Sequence, residues 1–183
     1  FYIVVEAFRL ALKYMTPVIV LSDGGLANAS EPWLIPDVDD LPDLRTKFHT
    51  DPVNFSPYAR NPETLGRCWA IPGTPGLEHQ LGGLEKDCET GKISYDPENH
   101  EKMVLLRDEK IKRISKDIPP LKIIGKEQNK LLVLTWGSVH GSAFSAVDVL
   151  QKEGHPVSML HLRHLNPFHE NLGKILNNFE MVL

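Results

Sequence analysis

Residues 131–162 read LLVLTWGSVHGSAFSAVDVLQKEGHPVSMLHL, and this stretch decides the fold. Leu131–Thr135 is an unbroken apolar run of strand length, the pattern of a strand covered on both faces. Gly137-Ser138-Val139-His140-Gly141 follows as a turn. Ala143, Ala146, Val147 and Leu150 then recur at helical spacing over about residues 141–153. Gly154 ends that helix, since glycine readily takes the left-handed conformation that closes one. Val157–Leu162 is a second strand, residues 170–178 a second helix, and Met181-Val182-Leu183 the start of a third strand. The alternation βαβαβ predicts a parallel sheet with right-handed crossovers, so the fold class is α/β.

Working outward, residues 1–15 place Val4, Phe8, Ala11, Leu12 and Met15 at helical spacing, with Glu6, Arg9 and Lys13 interleaved. Thr16-Pro17 ends the pattern, because the residue before proline is pushed out of the helical region. Val18-Ile19-Val20-Leu21 is again a continuous apolar run, expected as a strand buried on both faces. The chain starts with Phe1 inside a periodic segment and stops within a strand. The expectation is therefore a piece of a longer chain, cut at both ends.

Residues 32–75 hold eight of the fourteen prolines and no surviving period. Trp33, Phe48, Phe55, Tyr58 and Trp69 argue against disorder, which is poor in aromatics. An ordered excursion packed over a surface is expected. From Asp96-Pro97-Glu98 to about Lys116 runs a charged helix, opened by a capping aspartate and a first-turn proline. Met103, Leu106, Lys110 and Ile114 form its stripe. Pro119-Pro120 marks a linker. The division that follows is 1–31, 32–118 and 119–183.

The 183 residues fit one or two domains, and 42% hydrophobic with 24% charged residues is an ordinary globular composition. The formal charge of −4 is a poor match to nucleic acid or anionic lipid. No apolar run has the length of a membrane span. Cys68 and Cys88 are too few for a disulfide framework, and a reducing, cytoplasmic setting is expected.

Several constellations of polar residues could carry chemistry. His161 and His164 stand at odd separation on a strand and so face opposite sides, which disfavours a shared metal. No metal site is expected, and no zinc-protease, phosphate-loop or dinucleotide motif is present. Gly137-Ser138 admits two readings. Free backbone N–H groups at a helix start can hold an anion, or Ser138 simply caps the helix. Glu85, Asp87 and Glu89 are either acid–base groups, subunit-docking charges or a solvated acidic turn.

Taken in order along the chain, these segments resemble a known family. Thr16–Asp23, Glu31-Pro32-Trp33, Pro72–His79, Gly83–Asp87, Tyr95–His100, Trp136-Gly137-Ser138 and His161–Phe168 are similar to the α subunit of 2-oxoacid:ferredoxin oxidoreductases, the 2-oxoglutarate type above all. The resemblance implies an enzyme that uses thiamine diphosphate and Mg2+ to decarboxylate a 2-oxoacid oxidatively. The acyl group passes to coenzyme A and the electrons to ferredoxin. It also implies a β subunit carrying the diphosphate and magnesium site, and iron–sulfur clusters outside the α subunit. Residues 1–31 become the end of a thiamine pyrimidine-type domain, and residues 119–183 the start of a transketolase C-terminal-like domain.

Carried over residue by residue, Arg67, Glu85 and Asp87 belong to a loop near the substrate or the partner subunit. Catalytic, cofactor-binding and metal residues are assigned to none of these positions, and the chain alone is expected to bind no cofactor and to be inactive. The family's tyrosine–proline–x–threonine–proline segment falls upstream of Phe1. Cys68, Lys86 and Cys88 depart from the family's usual residues. Two rival readings remain: a non-catalytic α/β interaction module docking a partner chain, and an anion-binding α/β domain using Gly137 and Ser138.

Overall fold

A computed structural model describes all 183 residues. The elements run α1 (Tyr2–Tyr14), α2 (Gly24–Asn28), α3 (Pro97–Ile114), β1 (Ile123–Ile124), β2 (Asn129–Trp136), α4 (His140–Lys152), β3 (Val157–Leu162), α5 (Leu172–Leu176) and β4 (Phe179–Val182). Two compact units form: Phe1–Val20 with Leu34–Ile114, and Leu21–Trp33 with Ser115–Leu183. No helix is long and apolar enough to cross a membrane.

The second unit holds the sheet, in the order β1-β3-β2-β4. β2 is central and parallel to both neighbours, pairing Leu131 with Val157, Thr135 with His161, and Leu131 with Met181. Its apolar residues divide by the period of two. Leu132 joins Leu160, Leu162, Leu172 and Phe179 on one face, with Leu134 against them. Leu131 and Val133 pack on the other with Val147, Val157 and Met159. Leu172 comes from α5 and Val147 from α4, so each face has its own helix. This double cover explains why β2 and β3 carry no polar alternation.

The tail therefore matches its expected strands and its first helix. Three details differ. The helix expected over 170–178 contracts to Leu172–Leu176, and the last strand begins earlier, at Phe179. The sheet also gains a two-residue antiparallel edge, β1, pairing Ile123 with Leu160 and Ile124 with Met159. Two residues are too short for any period to register in sequence.

In the first unit, α1 ends with Met15 in the left-handed conformation and its N–H on the Ala11 carbonyl. Leu10 and Tyr14 are its buried residues. The Val4–Phe8 side expected to be buried is exposed instead, because the face set by Leu10 and Tyr14 is the one that finds cover. On α3, the Glu98 N–H donates to Asp96 Oδ1 at 3.1 Å, as the capping signal predicts. Met103 and Ile114 are buried, and Lys110 lies half-buried on the same stripe. Its Nζ donates to the Met15 carbonyl at the end of α1.

The run Val18–Leu21 is a clear departure. It belongs to no strand, and Ile19 is 83% exposed. A strand needs a neighbour to accept its backbone hydrogen bonds, and no other segment of this chain pairs with it.

Residues 34–96 are irregular but ordered by local bonds. The residue pairs Phe48–Trp69, Arg60–Arg67 and Lys86–Ile93 form isolated bridges. The Trp69 Nε1–H donates to the Leu12 carbonyl at 2.9 Å, which fixes the excursion to α1. Asn99, 7% exposed, closes the 86–88 segment onto α3: its Nδ2 donates to the Lys86 carbonyl and its Oδ1 accepts from the Cys88 N–H, both at 2.9 Å.

Candidate functional site

In the second unit, the carboxyl ends of β2 and β3 gather the polar groups. Parallel sheets bind ligands at this edge, where strands give way to turns. The Gly137-Ser138 turn needs its glycine, since Gly137 has φ of +73°. Ser138 forms no side-chain cap on α4, contrary to the simpler of its two readings. Its backbone N–H donates to Asp23 Oδ2 at 3.1 Å. The anion at this turn is thus the chain's own carboxylate.

Asp23 serves a second helix start as well, accepting the Leu26 N–H on Oδ1 at 3.0 Å. A Cβ at Gly25 would lie 3.1 Å from that oxygen, so the close approach favours glycine there. Hydrogen bonding by Ser138, and then by the Leu26 N–H, holds the Asp23 carboxyl below its ordinary 3.8. Sequence reading missed Asp23 because its partner lies 115 positions away.

Beside this turn, Thr135 Oγ1 and His161 Nδ1 are 2.9 Å apart. The His140 ring stands edge-on to His161 at 4.8 Å. Burial, then the charges of His140 and Arg163, push the His161 imidazole below its usual value. The hydroxyl and the imidazole thus join the carboxyl ends of β2 and β3. No three His, Cys, Asp or Glu side chains come together as a metal site.

In the first unit, Glu85 and Asp87 share a hairpin closed by Asp87 N–H on Lys92 O and Ser94 N–H on Glu85 O. Each carboxylate is turned to local use. Glu85 Oε2 lies 2.9 Å from His100 Nδ1, and Arg107 donates to both Glu85 oxygens at 3.2 and 3.3 Å. The Arg107 guanidinium chiefly, with His100, holds Glu85 below its ordinary 4.5 despite some desolvation. Asp87 Oδ1 accepts from the Thr90 N–H and hydroxyl at 2.7 and 2.8 Å, an aspartate turn. Arg67 pairs with neither: its guanidinium lies over the Tyr58 ring at 4.4 Å and donates to the Pro57 carbonyl.

Arg67 instead lines a cavity of about 700 Å³, together with Arg9, Lys13, Lys47, Arg60 and Trp69. Sequence reading missed this cavity because its walls come from α1 and from an excursion without period. The two cysteines remain free thiols.

The model of the pyruvate flavodoxin/ferredoxin oxidoreductase, thiamine diphosphate-binding family matches residues 1–96. The chain belongs to that family, and its fold is mixed α/β. A 2-oxoglutarate oxidoreductase subunit KorA of Mycobacterium tuberculosis is 48% identical over 179 residues, covering 97% of this chain and 27% of the relative. A 2-oxoacid:ferredoxin oxidoreductase subunit alpha of Saccharolobus solfataricus is 31% identical, over 97% of this chain and 29% of its own length. Among solved structures, the 2-oxoglutarate:ferredoxin oxidoreductase of Magnetococcus marinus, with 2-oxoglutarate, coenzyme A and succinyl-CoA bound, has a TM-score of 0.86. It is 30% identical, across 95% of this chain and 30% of that one. The chain thus spans less than a third of the length of these relatives.

Proposed function

We propose that this chain is part of the α subunit of a 2-oxoacid:ferredoxin oxidoreductase whose substrate is 2-oxoglutarate. The observation that carries the reading is the 48% identity to the Mycobacterium tuberculosis subunit, held over 97% of the chain. The complete enzyme converts the 2-oxoacid and coenzyme A to acyl-CoA and carbon dioxide. Two electrons pass to ferredoxin through iron–sulfur clusters on a partner, the β subunit.

Thiamine diphosphate supplies the carbanion chemistry of such reactions. No three His, Cys, Asp or Glu side chains of this chain come together as a metal site, and in this reading the β subunit would hold the diphosphate and Mg2+. The part of this chain is structural: residues 1–96 contribute to the thiamine diphosphate-binding domain, and the βαβαβ tail to a transketolase C-terminal-like domain. The Glu85–Asp87 hairpin with Arg67 lies toward the substrate or the partner subunit, and the protein works in the cytoplasm.

The test is a coenzyme A-dependent assay of ferredoxin reduction with the complete enzyme, offering 2-oxoglutarate and pyruvate in parallel. Turnover of 2-oxoglutarate at a higher kcat/KM is expected. Preference for pyruvate would overturn the substrate, and absence of turnover with any 2-oxoacid would overturn the activity. The 183-residue chain assayed alone should give none.

A further inference from the structure

Charge is segregated along this chain. Residues 14–44 carry six carboxylates, Asp23, Glu31, Asp37, Asp39, Asp40 and Asp43, and no Lys, Arg or His. The densest part of that run, Leu34–Asp43, belongs to the first unit. Leu34, Ile35 and Val38 stand among its acids and are 89%, 79% and 77% exposed. Apolar side chains clustered so bare on an ordered segment mark an interaction surface.

The segment is shaped rather than slack. Asp37 Oδ1 accepts the Asp39 N–H at 3.0 Å, and the Leu41 N–H donates to the Val38 carbonyl at 3.1 Å. These bonds close a turn of 3-10 helix over Val38–Asp40. Pro36 and Pro42 flank the turn and fix the backbone on either side. Little conformational freedom is then left to lose when a partner covers it. Asp37 is used within the turn, whereas the Asp39 and Asp40 carboxylates accept no hydrogen bond and form no ion pair.

The complementary surface lies on the same unit. The walls of the cavity of about 700 Å³ carry Arg9, Lys13, Arg45, Lys47, Arg60 and Arg67 against one carboxylate, Asp43. Arg45 holds that carboxylate at 2.7 Å. Lys47 is exposed and has no ion pair. Leu12, Ala59 and Trp69 add apolar wall beside the cations. Cations with apolar groups on one surface match carboxylates with apolar groups on the other. Within one chain the two do not meet. Only the root of the segment, Asp43 and Leu44, reaches the cavity wall, while Leu34, Ile35 and Val38 stay bare.

We propose that residues 34–40 dock into the basic cavity of a second copy of this chain. Asp39 and Asp40 meet Lys47 there, and Leu34, Ile35 and Val38 meet the apolar wall. Because the segment roots on the rim of its own cavity, a two-fold axis at that rim sets both segments over both cavities. The contact is therefore isologous and closes after two copies. The inference rests on charge and exposure and not on the proposed catalytic activity, and its readout is a covalent link rather than turnover.

Carbodiimide crosslinking of the complete enzyme, read by peptide mass spectrometry, tests it, since the reagent joins a carboxylate to an amine only where they touch. Asp39 or Asp40 should become linked to Lys47. Lys47→Gln should abolish the link, and so should Asp39→Asn with Asp40→Asn; all three positions are exposed, so the fold should tolerate both variants. Co-expressing the two variant chains leaves the acidic turn on one copy and Lys47 on the other. The link should then return at about a quarter of the wild-type yield, the statistical share of mixed pairs with one working contact. A link in the wild type with none in the mixture would place the segment on its own cavity and overturn the second copy. A link from Asp39 or Asp40 to a different subunit in place of Lys47 would overturn it as well, as would no link in the wild-type enzyme.

Discussion

The two units solve the same problem by opposite means. In the second, β2, β3 and β4 pair their backbones with one another, and Leu132, Met159 and Leu160 are fully buried at 0% exposure. In the first, residues 34–96 form no strand, and side chains take over the work of satisfying the backbone. Asn99 serves two backbone groups, Trp69 one, Arg60 two, and Arg113 two more. A sheet distributes its stability over many apolar contacts. An irregular segment concentrates it in a few polar side chains.

That difference predicts where each unit is fragile. Leu160→Ala leaves a cavity in a fully buried site between α5 and the sheet, and should lower stability by about 2–5 kcal/mol. Thermal or denaturant unfolding of the chain measures it. A loss under about 1 kcal/mol would mean that the core can collapse around the missing side chain. In the first unit no apolar residue is buried to 0%, and the vulnerable position is a polar one. Asn99→Ala strands the Cys88 N–H and the Lys86 carbonyl, with an expected cost of about 1–3 kcal/mol. Asn99→Asp keeps the acceptor for Cys88 but sets a carboxylate oxygen against the Lys86 carbonyl at a buried site, so a loss at least as large is expected. A much smaller loss than in Asn99→Ala would show that the bond to Lys86 contributes little.

The same difference decides what could be read from sequence. The unbroken apolar run of Leu131–Thr135 and the helical spacing of Ala143–Leu150 are local, so the sheet and α4 were legible. So was α3, through Asp96-Pro97. The excursion was legible only as ordered, because its bonds join residues such as Trp69 and Leu12 that no local pattern connects. Of the named site residues, Ser138 gives its backbone N–H to Asp23, 115 positions away, a contact that no local pattern signals. Glu85 and Asp87 do share a hairpin, while Arg67 belongs to a different cluster. The family resemblance, carried by ordered segments rather than by any period, was readable where the geometry was not.

Asp23 offers a test of whether the second unit also depends on a single polar group. Its folded pKa lies below the ordinary 3.8. Its contribution is therefore fully present above that unfolded value and is lost as pH falls through the lower folded one. Protection of the Ser138 and Leu26 amides, measured relative to their unstructured exchange rate at each pH, should persist at neutral pH and fall only on acidification below about 3.8. Asp23→Ala should remove that acid transition and leave both amides exchanging quickly throughout, while the β2–β3 amides keep their protection. Unchanged protection at Ser138 in Asp23→Ala would show that the turn holds itself without the carboxylate.

The smallest effect is expected where two similar sequences part company. Val18-Ile19-Val20-Leu21 and the run opening at Val157 are both apolar, yet Met159 is fully buried and Ile19 is 83% exposed. Composition alone gives both the propensity for a strand; only the second has neighbours on either side within this chain. Ile19→Ser should change the stability of the 183-residue chain by no more than about 0.5 kcal/mol, the range of exposed positions. A loss above about 1 kcal/mol would sink the reading that the run lacks cover here. Repeating the substitution in the complete enzyme sharpens it. A cost of about 1–3 kcal/mol there, with none in the isolated chain, would mean that the run becomes a covered strand only when the rest of the protein supplies its neighbours. No cost in either setting would mean that four consecutive apolar residues are tolerated in water, and that burial of Val157–Leu162 owes more to its position between two strands than to its composition.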